Sequence, residues 1–467
     1  MANDPCSQSP AIVMVPLPFQ GHTTQLLHLS RLVSAQNLPV YFVGTTTLIR
    51  QAKTRLQGWD PSSSAAMHFH EFPTPDFENP PPNPNAPSRF PSHLIPPLMS
   101  TIRLREPVHA FVNELSTKYR KVIVIYDLFM SYVVQDIHDT VQNAEAYRFQ
   151  CPSAFTSFSF HWKNEPSVPP EAVELLSECP SADGFFPPEF YEYLILQDGA
   201  RKIFSGDIYD SSRVIEPLYL DLIEKQKAVG AEKIWALGPL NPVSLPEKRD
   251  SETQHKCLDW LDKQEPDSVI FISFGTTISF SDQEIKEIAI GLERSFQKFI
   301  WVLRDADKGD VFTGDVRKLS EILPLGFEER VKDKGMILTD WAPQLEILAH
   351  FATGGFMSHC GWNSCLESIS MGVPIATWPM HSDQPRNAVL ITKGLRIGVE
   401  VVNWERRSGN YVSSDMVEKA VRKLMASEEG DEIRKRAKEL GVAVEKSFME
   451  GGDARKEFDS FIAHITR

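Results

Sequence analysis

Residues 341–384 constrain the fold more than any other part of the chain. Two short apolar runs, 355–357 and 373–378, have the length and composition of buried parallel strands. The loop 358–364 follows the first run and leads into a predicted helix, 365–371. This order predicts an α/β unit. The free N–H groups and the positive dipole end of its helix would face the loop, where they suit a phosphate group.

Polar side chains that can meet a charged or hydroxylated ligand are concentrated in the same stretch. They are Gln344, His350, His359, Asn363, Ser364, Glu367, Asp383 and Gln384. Ser364 or Glu367 alone is better explained as a cap or brace of an ordinary α/β crossover. A whole ordered string favours a ligand site, because agreeing independent signals weigh more than one motif. Glu367, expected in the first helical turn, can accept hydrogen bonds from a sugar hydroxyl.

The chain length predicts two domains, because 467 residues exceed one compact core of ordinary size. The polar, proline-containing segment 241–254 is the expected linker. It separates residues 1–240 from residues 255–467, and each part contains apolar strand patterns followed by turns and helices. The predicted fold class is therefore α/β, with two Rossmann-like domains.

Composition excludes several classes of partner. A net charge of -14 argues against nucleic acid or an anionic membrane. No apolar run has the length of a transmembrane span, and the first ten residues show no secretory signal pattern. The six cysteines are scattered without a C-x-x-C pair, so free thiols and a cytoplasmic location are expected.

The first domain begins with an apolar run, 11–17, followed by a tight turn and a predicted helix, 23–34. His22 lies in the first turn of that helix, where the helix dipole disfavours protonated imidazole and a neutral histidine can act as a base. Gly21 lets the chain pass close to a ligand. A lone histidine is more often a solvent-facing loop residue, and that interpretation stays open from the residues alone. The chain contains no G-x-G-x-x-G, which counts against a nicotinamide or flavin dehydrogenase.

A second buried strand of this domain, 122–126, ends in Asp127. A carboxylate at the carboxyl end of a parallel strand lies at the crevice where α/β sheets bind ligands. Asp127 can orient a histidine and stabilise its imidazolium, as in a Ser-His-Asp arrangement without the serine. It can also cap the segment that follows, and the two roles are compatible.

Three further segments of the first domain suggest pocket walls. Residues 73–97 hold ten of the 34 prolines and predict an exposed loop, neither helix nor central strand, which either edges a pocket or crosses the surface passively. Residues 151–162 and the pair Phe185 and Phe186 are rich in aromatic side chains. These fit the walls of a pocket for a flat or apolar molecule, although core packing explains aromatics equally well.

In the second domain, the strand 268–274 closes on Gly275, and Thr276 can bond a diphosphate oxygen. A further strand, 299–304, runs into Asp305 and Asp307, a D-x-D that in another fold holds a divalent metal. We expect a solvated loop here instead, because the flanking residues are polar and charged. His350, His359, Cys360, Cys365 and His381 lack a compact zinc spacing, so no metal site is expected.

The string 341–384 closely resembles the C-terminal signature of plant UDP-sugar-dependent glycosyltransferases, and the resemblance extends over essentially the whole chain. It implies the GT-B fold, with two Rossmann-like domains facing across a cleft. It further implies that residues 1–240 bind the acceptor and residues 255–467 the UDP-sugar. A final helix, 457–466, is expected to return to the first domain. The implied catalytic pair is His22 and Asp127.

The resemblance also assigns donor-binding residues, grouped by the part of the UDP-sugar that they meet. The implied set is Trp341 stacking on uracil, Gln344 at the nucleoside, Glu367 on the ribose, His359, Asn363 and Ser364 at the diphosphate, and Trp362, Asp383 and Gln384 at the sugar. Gly21, Thr276 and Ala342 complete the predicted donor-binding residues. Stacking suits the base, N–H and O–H donors suit the dianion, and acceptors suit the hydroxyls. No cofactor or metal is implied.

Within the family, the segments QGHTTQLLHLS and FIWVLRDADKGD look most like the zeatin O-glucosyltransferase branch, and Gln25 stands where many relatives carry proline. The implied reaction is inverting transfer of glucose from UDP-glucose to a hydroxyl of a small lipophilic plant metabolite, with a cytokinin such as zeatin favoured, by a monomer. Flavonoid, other phenolic or terpenoid acceptors and UDP-xylose remain open. A non-catalytic UDP-sugar-binding protein and a metal-dependent GT-A enzyme are disfavoured alternatives.

Overall fold

The structure, a computed structural model, describes residues 9–55, 64–86, 88–165, 167–200, 205–227, 233–244, 255–312, 319–404 and 412–467. Its strands form two separate sheets in which every pairing is parallel. Helices connect successive strands, as parallel sheets require. The predicted α/β class is confirmed. Among the described residues, no helix combines the length and apolarity needed to cross a bilayer.

The first sheet has the described strand order β3-β2-β1-β4-β5-β6-β7. Its strands are β1 Ala11–Val15, β2 Val40–Thr45, β3 Met67–Phe72, β4 Val122–Asp127, β5 Ala144–Gln150, β6 Gly206–Tyr209 and β7 Lys233–Ala236. Every residue of β1 and β4 is buried, in keeping with their unbroken apolar sequences. The strand order reverses between β1 and β4, which places a crevice at their carboxyl ends.

The second sheet has the described order β10-β9-β8-β11-β12-β13. Its strands are β8 Val269–Ser273, β9 Lys298–Val302, β10 Gly335–Leu338, β11 Thr353–Ser358, β12 Ile375–Thr377 and β13 Gly398–Glu400. Here the order reverses between β8 and β11, so each sheet carries its own crevice at the equivalent position.

Helices cover both faces of the two sheets. Those of the first domain are Gln20–Ser34, Thr46–Thr54, Ile95–Ser100, Arg105–Ser116, Ser131–Val134, Ile137–Thr140, Ala154–Ser159, Pro170–Ser177, Pro188–Gly199 and Pro217–Lys227. Those of the second are Lys256–Leu261, Asp282–Ser295, Phe327–Val331, Gln344–Ala349, Trp362–Ser370, Gln384–Val389, Ser414–Met425, Glu428–Ser447 and Asp453–Ile465.

The final helix, Asp453–Ile465, packs on the first domain although it follows the second in sequence. Its Phe461 is fully buried and meets Tyr147 and Trp235 edge-on, at ring-centroid distances of 6.0 and 5.3 Å. These aromatic contacts fasten the end of the chain to β5 and β7. Most of the expected linker, residues 245–254, lies outside the described residues.

Two local predictions were wrong. The proline-rich stretch 73–97 was expected to contain no helix, but Ser92–Leu94 forms a 3₁₀ turn and the α-helix Ile95–Ser100 begins within it. Pro96 and Pro97 lie in its first turn, where the missing N–H costs no intrahelical bond. The helix after β11 is Trp362–Ser370, three residues earlier than predicted, so Glu367 lies in its second turn.

Candidate active site

A cavity of about 370 Å³ lies between the carboxyl ends of the two sheets. The turns after β1 and β8 and the loop after β11 all reach it, because each follows a strand at the reversal point of its sheet. Its lining includes every predicted donor-binding residue and His22, whereas Asp127 lies behind His22. Gln344, Glu367 and Asp383 come from different elements, so the fold has gathered them into one site.

His22 and Asp127 form a hydrogen-bonded pair. His22 Nδ1 lies 2.7 Å from Asp127 Oδ2, and the carboxylate is fully buried. The second oxygen, Oδ1, accepts the backbone N–H of Phe129 at 2.9 Å, so Asp127 also caps the turn after β4. With Nδ1–H donating to the carboxylate, Nε2 carries the lone pair that a base needs.

The pKa of His22 is raised. Burial alone would lower it, but the charge of Asp127 and its hydrogen bond outweigh burial, and the charge of Asp383 adds to them. This direction is opposite to the one expected from the helix dipole, because the Asp127 carboxylate favours the protonated imidazole. The raised pKa makes neutral His22 a stronger base.

His359 lies in a slot that only glycine can form. A Cβ on Gly275 would come within 2.7 Å of His359 Nε2, and one on Gly361 within 2.5 Å. Burial lowers the pKa of His359 to about 4, so its ring is neutral, and Nδ1 is buried with no protein partner among the described residues. A neutral imidazole with an unused ring nitrogen can donate an N–H to an anion without a charge of its own.

The helix Trp362–Ser370 begins at Gly361 and presents its amino end to the cavity. The Trp362 side chain is 3% exposed, and its indole N–H donates to the Asp210 carbonyl at 2.7 Å. The indole N–H of Trp362 therefore donates within the protein, and it does not support the predicted contact of Trp362 with a sugar. Asn363 Nδ2 donates to the Gly21 carbonyl at 2.7 Å, which joins the two domains directly at the site.

Gln344 joins two helices of the second domain at the cavity. Its Nε2 donates to Ser364 Oγ at 3.0 Å and to Glu367 Oε2 at 2.6 Å. Burial raises the pKa of Glu367 to about 7, partly offset by that hydrogen bond. One carboxylate oxygen of Glu367 stays available to a ligand, and the Trp341 ring, beside Ala342, offers a stacking surface on the same wall.

Asp383 and Gln384 are only partly free for a ligand. Gln384 Oε1 accepts the N–H groups of Met380 and His381 at 2.9 and 3.2 Å, so its NH₂ is the group left to donate. Asp383 Oδ2 accepts from Asn387 Nδ2 at 2.8 Å. The pair therefore offers one amide donor and one carboxylate oxygen, which suits a pattern of hydroxyl groups.

An aromatic wall forms the opposite end of the cavity. It consists of Phe90, Phe129, Phe160, Phe186 and Phe190. Phe186 and Phe190 stack at 5.0 Å, and the Phe129 ring is 5.7 Å from that of His22. The proline-rich loop and the aromatic segments therefore both contribute pocket walls, while Phe155, Phe158 and Phe185 lie in the core.

Asp307 does not lie in a solvated loop, and that prediction is corrected. It is 9% exposed, and its carboxylate accepts from Arg55 at 2.6 Å and Arg304 at 2.5 Å. Its backbone carbonyl lies 2.8 Å from His93 Nε2. Since Arg55 and His93 belong to the first domain, Asp307 is a bridge between the domains.

Sequence reasoning missed two contributors to the site. Cys151 Sγ lies 2.8 Å from Asp127 Oδ2. The Arg55 guanidinium lies 4.7 Å from the centre of a Trp341 ring. A lone cysteine and an arginine after an amphipathic helix carry no local motif, so only the fold could reveal them. Within the described residues, His22, Asp127 and Cys151 are the group of metal-capable side chains close enough to share one ion.

Comparison with known proteins gives matches along the whole chain. A model described as "Glycosyltransferase, N-terminal domain" matches residues 8–242, and one described as "UDP-glucoronosyl and UDP-glucosyl transferase" matches residues 250–432. A zeatin O-glucosyltransferase of Phaseolus lunatus is 52% identical, with 98% of this chain and 97% of that protein covered. A zeatin O-xylosyltransferase of Phaseolus vulgaris is 49% identical, with 98% of each covered.

Solved structures agree with this fold. A transferase from Siraitia grosvenorii in complex with UDP is 28% identical and has a TM-score of 0.75, with 98% of this chain and all 100% of that chain covered. A Phytolacca americana protein complexed with UDP-2-fluoroglucose and pterostilbene is 25% identical, with a TM-score of 0.74 and coverage of 98% and 99%. The GT-B arrangement of two Rossmann-like domains is thereby confirmed.

Proposed function

This chain belongs to the UDP-dependent glycosyltransferase family, and from that premise we propose that it transfers glucose from UDP-glucose, with inversion, to a hydroxyl of a small lipophilic plant metabolite. The observation that carries the proposal is the His22–Asp127 pair, whose bond of 2.7 Å leaves His22 Nε2 at the cavity. The other end of the cavity holds donors and acceptors suited to a UDP-sugar. A non-catalytic UDP-sugar-binding protein would not need this pair.

In the proposed reaction, His22 Nε2 removes the proton of an acceptor hydroxyl as its oxygen attacks the anomeric carbon. The bond from that carbon to the diphosphate oxygen breaks, and UDP leaves with the electron pair. Asp127 orients the imidazole and stabilises the imidazolium that forms. Attack on the face opposite to the leaving group inverts the anomeric configuration.

We propose that the donor binds without a metal. Trp341 and Ala342 meet the base, Gln344 and Glu367 meet the nucleoside, and Asp383 and Gln384 meet the sugar. His359, Ser364, Thr276, the N–H groups at the start of the helix Trp362–Ser370 and the nearby Gly21 and Asn363 meet the diphosphate. Aligned N–H donors at a helix amino end suit this dianion. Because the indole N–H of Trp362 donates to the Asp210 carbonyl, we propose that Trp362 contributes its backbone N–H to the diphosphate instead.

The aromatic wall supports a flat acceptor. The Phaseolus lunatus relative is a zeatin O-glucosyltransferase, and we propose a cytokinin such as zeatin as the preferred acceptor. Flavonoid, other phenolic and terpenoid acceptors are weaker candidates for the same pocket. UDP-xylose is the rival donor, because the Phaseolus vulgaris relative is named for xylosyl transfer at similar identity. We further propose a monomer located in the cytoplasm.

The test is a competition between donors on a panel of acceptors. The enzyme receives equal concentrations of UDP-glucose and UDP-xylose with trans-zeatin, cis-zeatin, a flavonol or a terpenoid alcohol, and products are resolved by mass spectrometry. Zeatin glucoside as the main product supports the proposal. Predominant xylosylation refutes UDP-glucose as the preferred donor. Faster reaction of a non-cytokinin refutes zeatin as the preferred acceptor, and UDP binding without any product refutes the proposed catalytic activity.

A further inference from the structure

Cys151 touches the proposed catalytic pair although the reaction does not use it. It follows β5, is 6% exposed, and its Sγ lies 2.8 Å from Asp127 Oδ2. This is the same oxygen that His22 Nδ1 approaches at 2.7 Å. Burial, with the charge of Asp127 second, raises the pKa of the Cys151 thiol well above its ordinary value. The sulfur is therefore a neutral S–H that donates to the carboxylate.

The backbone of Cys151 is fixed by the helix that carries the base. Gln25 is one turn beyond His22 on the helix Gln20–Ser34, is 3% exposed, and donates from Nε2 to the Cys151 carbonyl at 3.2 Å. The Gln25 side chain also hydrogen-bonds Asp210, whose carbonyl accepts the indole N–H of Trp362. Cys151 is thus held between the helix of the base and the strand end of Asp127.

From these contacts we propose that Cys151 is a positioning residue for the His22–Asp127 pair, and the proposal rests on the role of His22 as base. Its thiol fixes the rotation of the Asp127 carboxylate together with the Phe129 N–H on the other oxygen. It also shares Oδ2 with His22, so it draws away part of the negative charge that would otherwise stabilise the imidazolium.

The two effects predict a specific change in Cys151→Ala. Without the thiol, the carboxylate is less well fixed, and Oδ2 interacts with His22 alone. The charged form of His22 is then favoured more, so the acidic limb of the pH–rate profile moves to higher pH. The other charged groups that face these residues, Asp383 and Asp210, are unchanged by the substitution.

The experiment compares Cys151→Ala, Cys151→Ser and the control Cys179→Ala, which removes a thiol outside the cavity lining. Turnover is measured with saturating UDP-glucose and trans-zeatin as acceptor, from pH 5.5 to 9. Cys151→Ala should lower kcat about three- to tenfold, the range of one hydrogen bond, with the KM for UDP-glucose unchanged. Cys151→Ser, which restores a donor, should behave as the parent enzyme does.

The proposal is overturned if the acidic limb does not shift in Cys151→Ala. It is also overturned if Cys151→Ser loses as much turnover as Cys151→Ala does, since either result would indicate that Cys151 acts through packing alone. If Cys151→Ala does not fold, Gln25→Met removes the backbone anchor and should shift the same limb, and an unshifted limb again overturns it. His22→Ala separates the two proposals. Parent-like turnover in that variant refutes the base, whereas its collapse beside an unaffected Cys151→Ala refutes only the role of Cys151.

Discussion

Gly275→Ala should weaken UDP binding through His359, without touching the proposed base. The added Cβ would lie 2.7 Å from His359 Nε2, closer than side chains tolerate, and Gly275 has a φ of +75°. The ring also packs against Gly361, where an added Cβ would be only 2.5 Å from His359 Nε2. It therefore cannot move in that direction. The imidazole must therefore leave its slot.

The expected magnitude follows from the contact that is lost. A hydrogen bond to a charged group contributes about 1.5–3 kcal/mol, so losing the His359 contact should weaken UDP binding about 10- to 150-fold. Alanine in a left-handed conformation costs a further 1–2 kcal/mol or so, which acts on folding stability. Affinity and stability are thus expected to fall for separate reasons.

Isothermal titration with UDP measures the affinity without any acceptor, and thermal melting measures the stability. Gly451→Ala is the matched control, because its φ is +80° and no atom lies within 4 Å of the added Cβ. It should lose comparable stability and keep its affinity for UDP. A dissociation constant within threefold of the parent in Gly275→Ala would refute the placement of His359 at the diphosphate. An equal loss of affinity in Gly451→Ala would show that strain, not the clash, is responsible.

Four further substitutions test other parts of the site. His22→Ala should cost on the order of 10²–10⁴ in turnover with UDP binding retained, and parent turnover should fall as the pH drops through the raised pKa of His22, because only the neutral ring accepts a proton. Asp307→Ala leaves two guanidinium groups without their shared carboxylate and should lose about 3–5 kcal/mol of stability, while Asp305→Ala loses less. EDTA should not lower the activity of either aspartate variant. An activity that is lost in EDTA and restored only by Mn²⁺ would contradict metal-free catalysis. Gln384→His removes the acceptor for two loop N–H groups and should erode the preference for UDP-glucose over UDP-xylose, measured by donor competition.

The strand-turn-helix units could be predicted because their signals are local. An apolar run, a glycine turn and a periodic helix lie within about 25 residues of one another around His22, and the same order of strand, glycine and helix occurs around Gly275. Most of the predicted donor-binding residues lie in one contiguous string, from Trp341 to Gln384, so they could be recognised before their geometry was known. The start of the helix Trp362–Ser370 was misplaced, because Trp and Asn form helices weakly and Gly361 gives no side-chain cap.

Contacts between distant residues could not be predicted. The polar sequence around Asp307 indicates exposure, but its partner Arg55 is 252 positions away and buries it. The thiol of Cys151 meets Asp127 across two strands of the sheet, and no spacing rule connects them. The aromatic wall draws Phe90, Phe129 and Phe190 from separate segments, so the sequence indicated aromatic content without indicating which rings face the cavity.

The predicted donor-binding residues were easier to recognise from the sequence than the aromatic wall, and the structure offers a reason. His22 is adjacent to Gly21, and the Gly21 carbonyl accepts the side-chain N–H of Asn363, on the helix Trp362–Ser370, at 2.7 Å. This hydrogen bond, together with those of Asp307 and Trp362 across the domains, holds His22 beside the predicted donor site. The aromatic side chains take no part in these bonds. We therefore expect that exchanging rings of the aromatic wall other than Phe129, which lies 5.7 Å from His22, changes the choice of acceptor without moving His22.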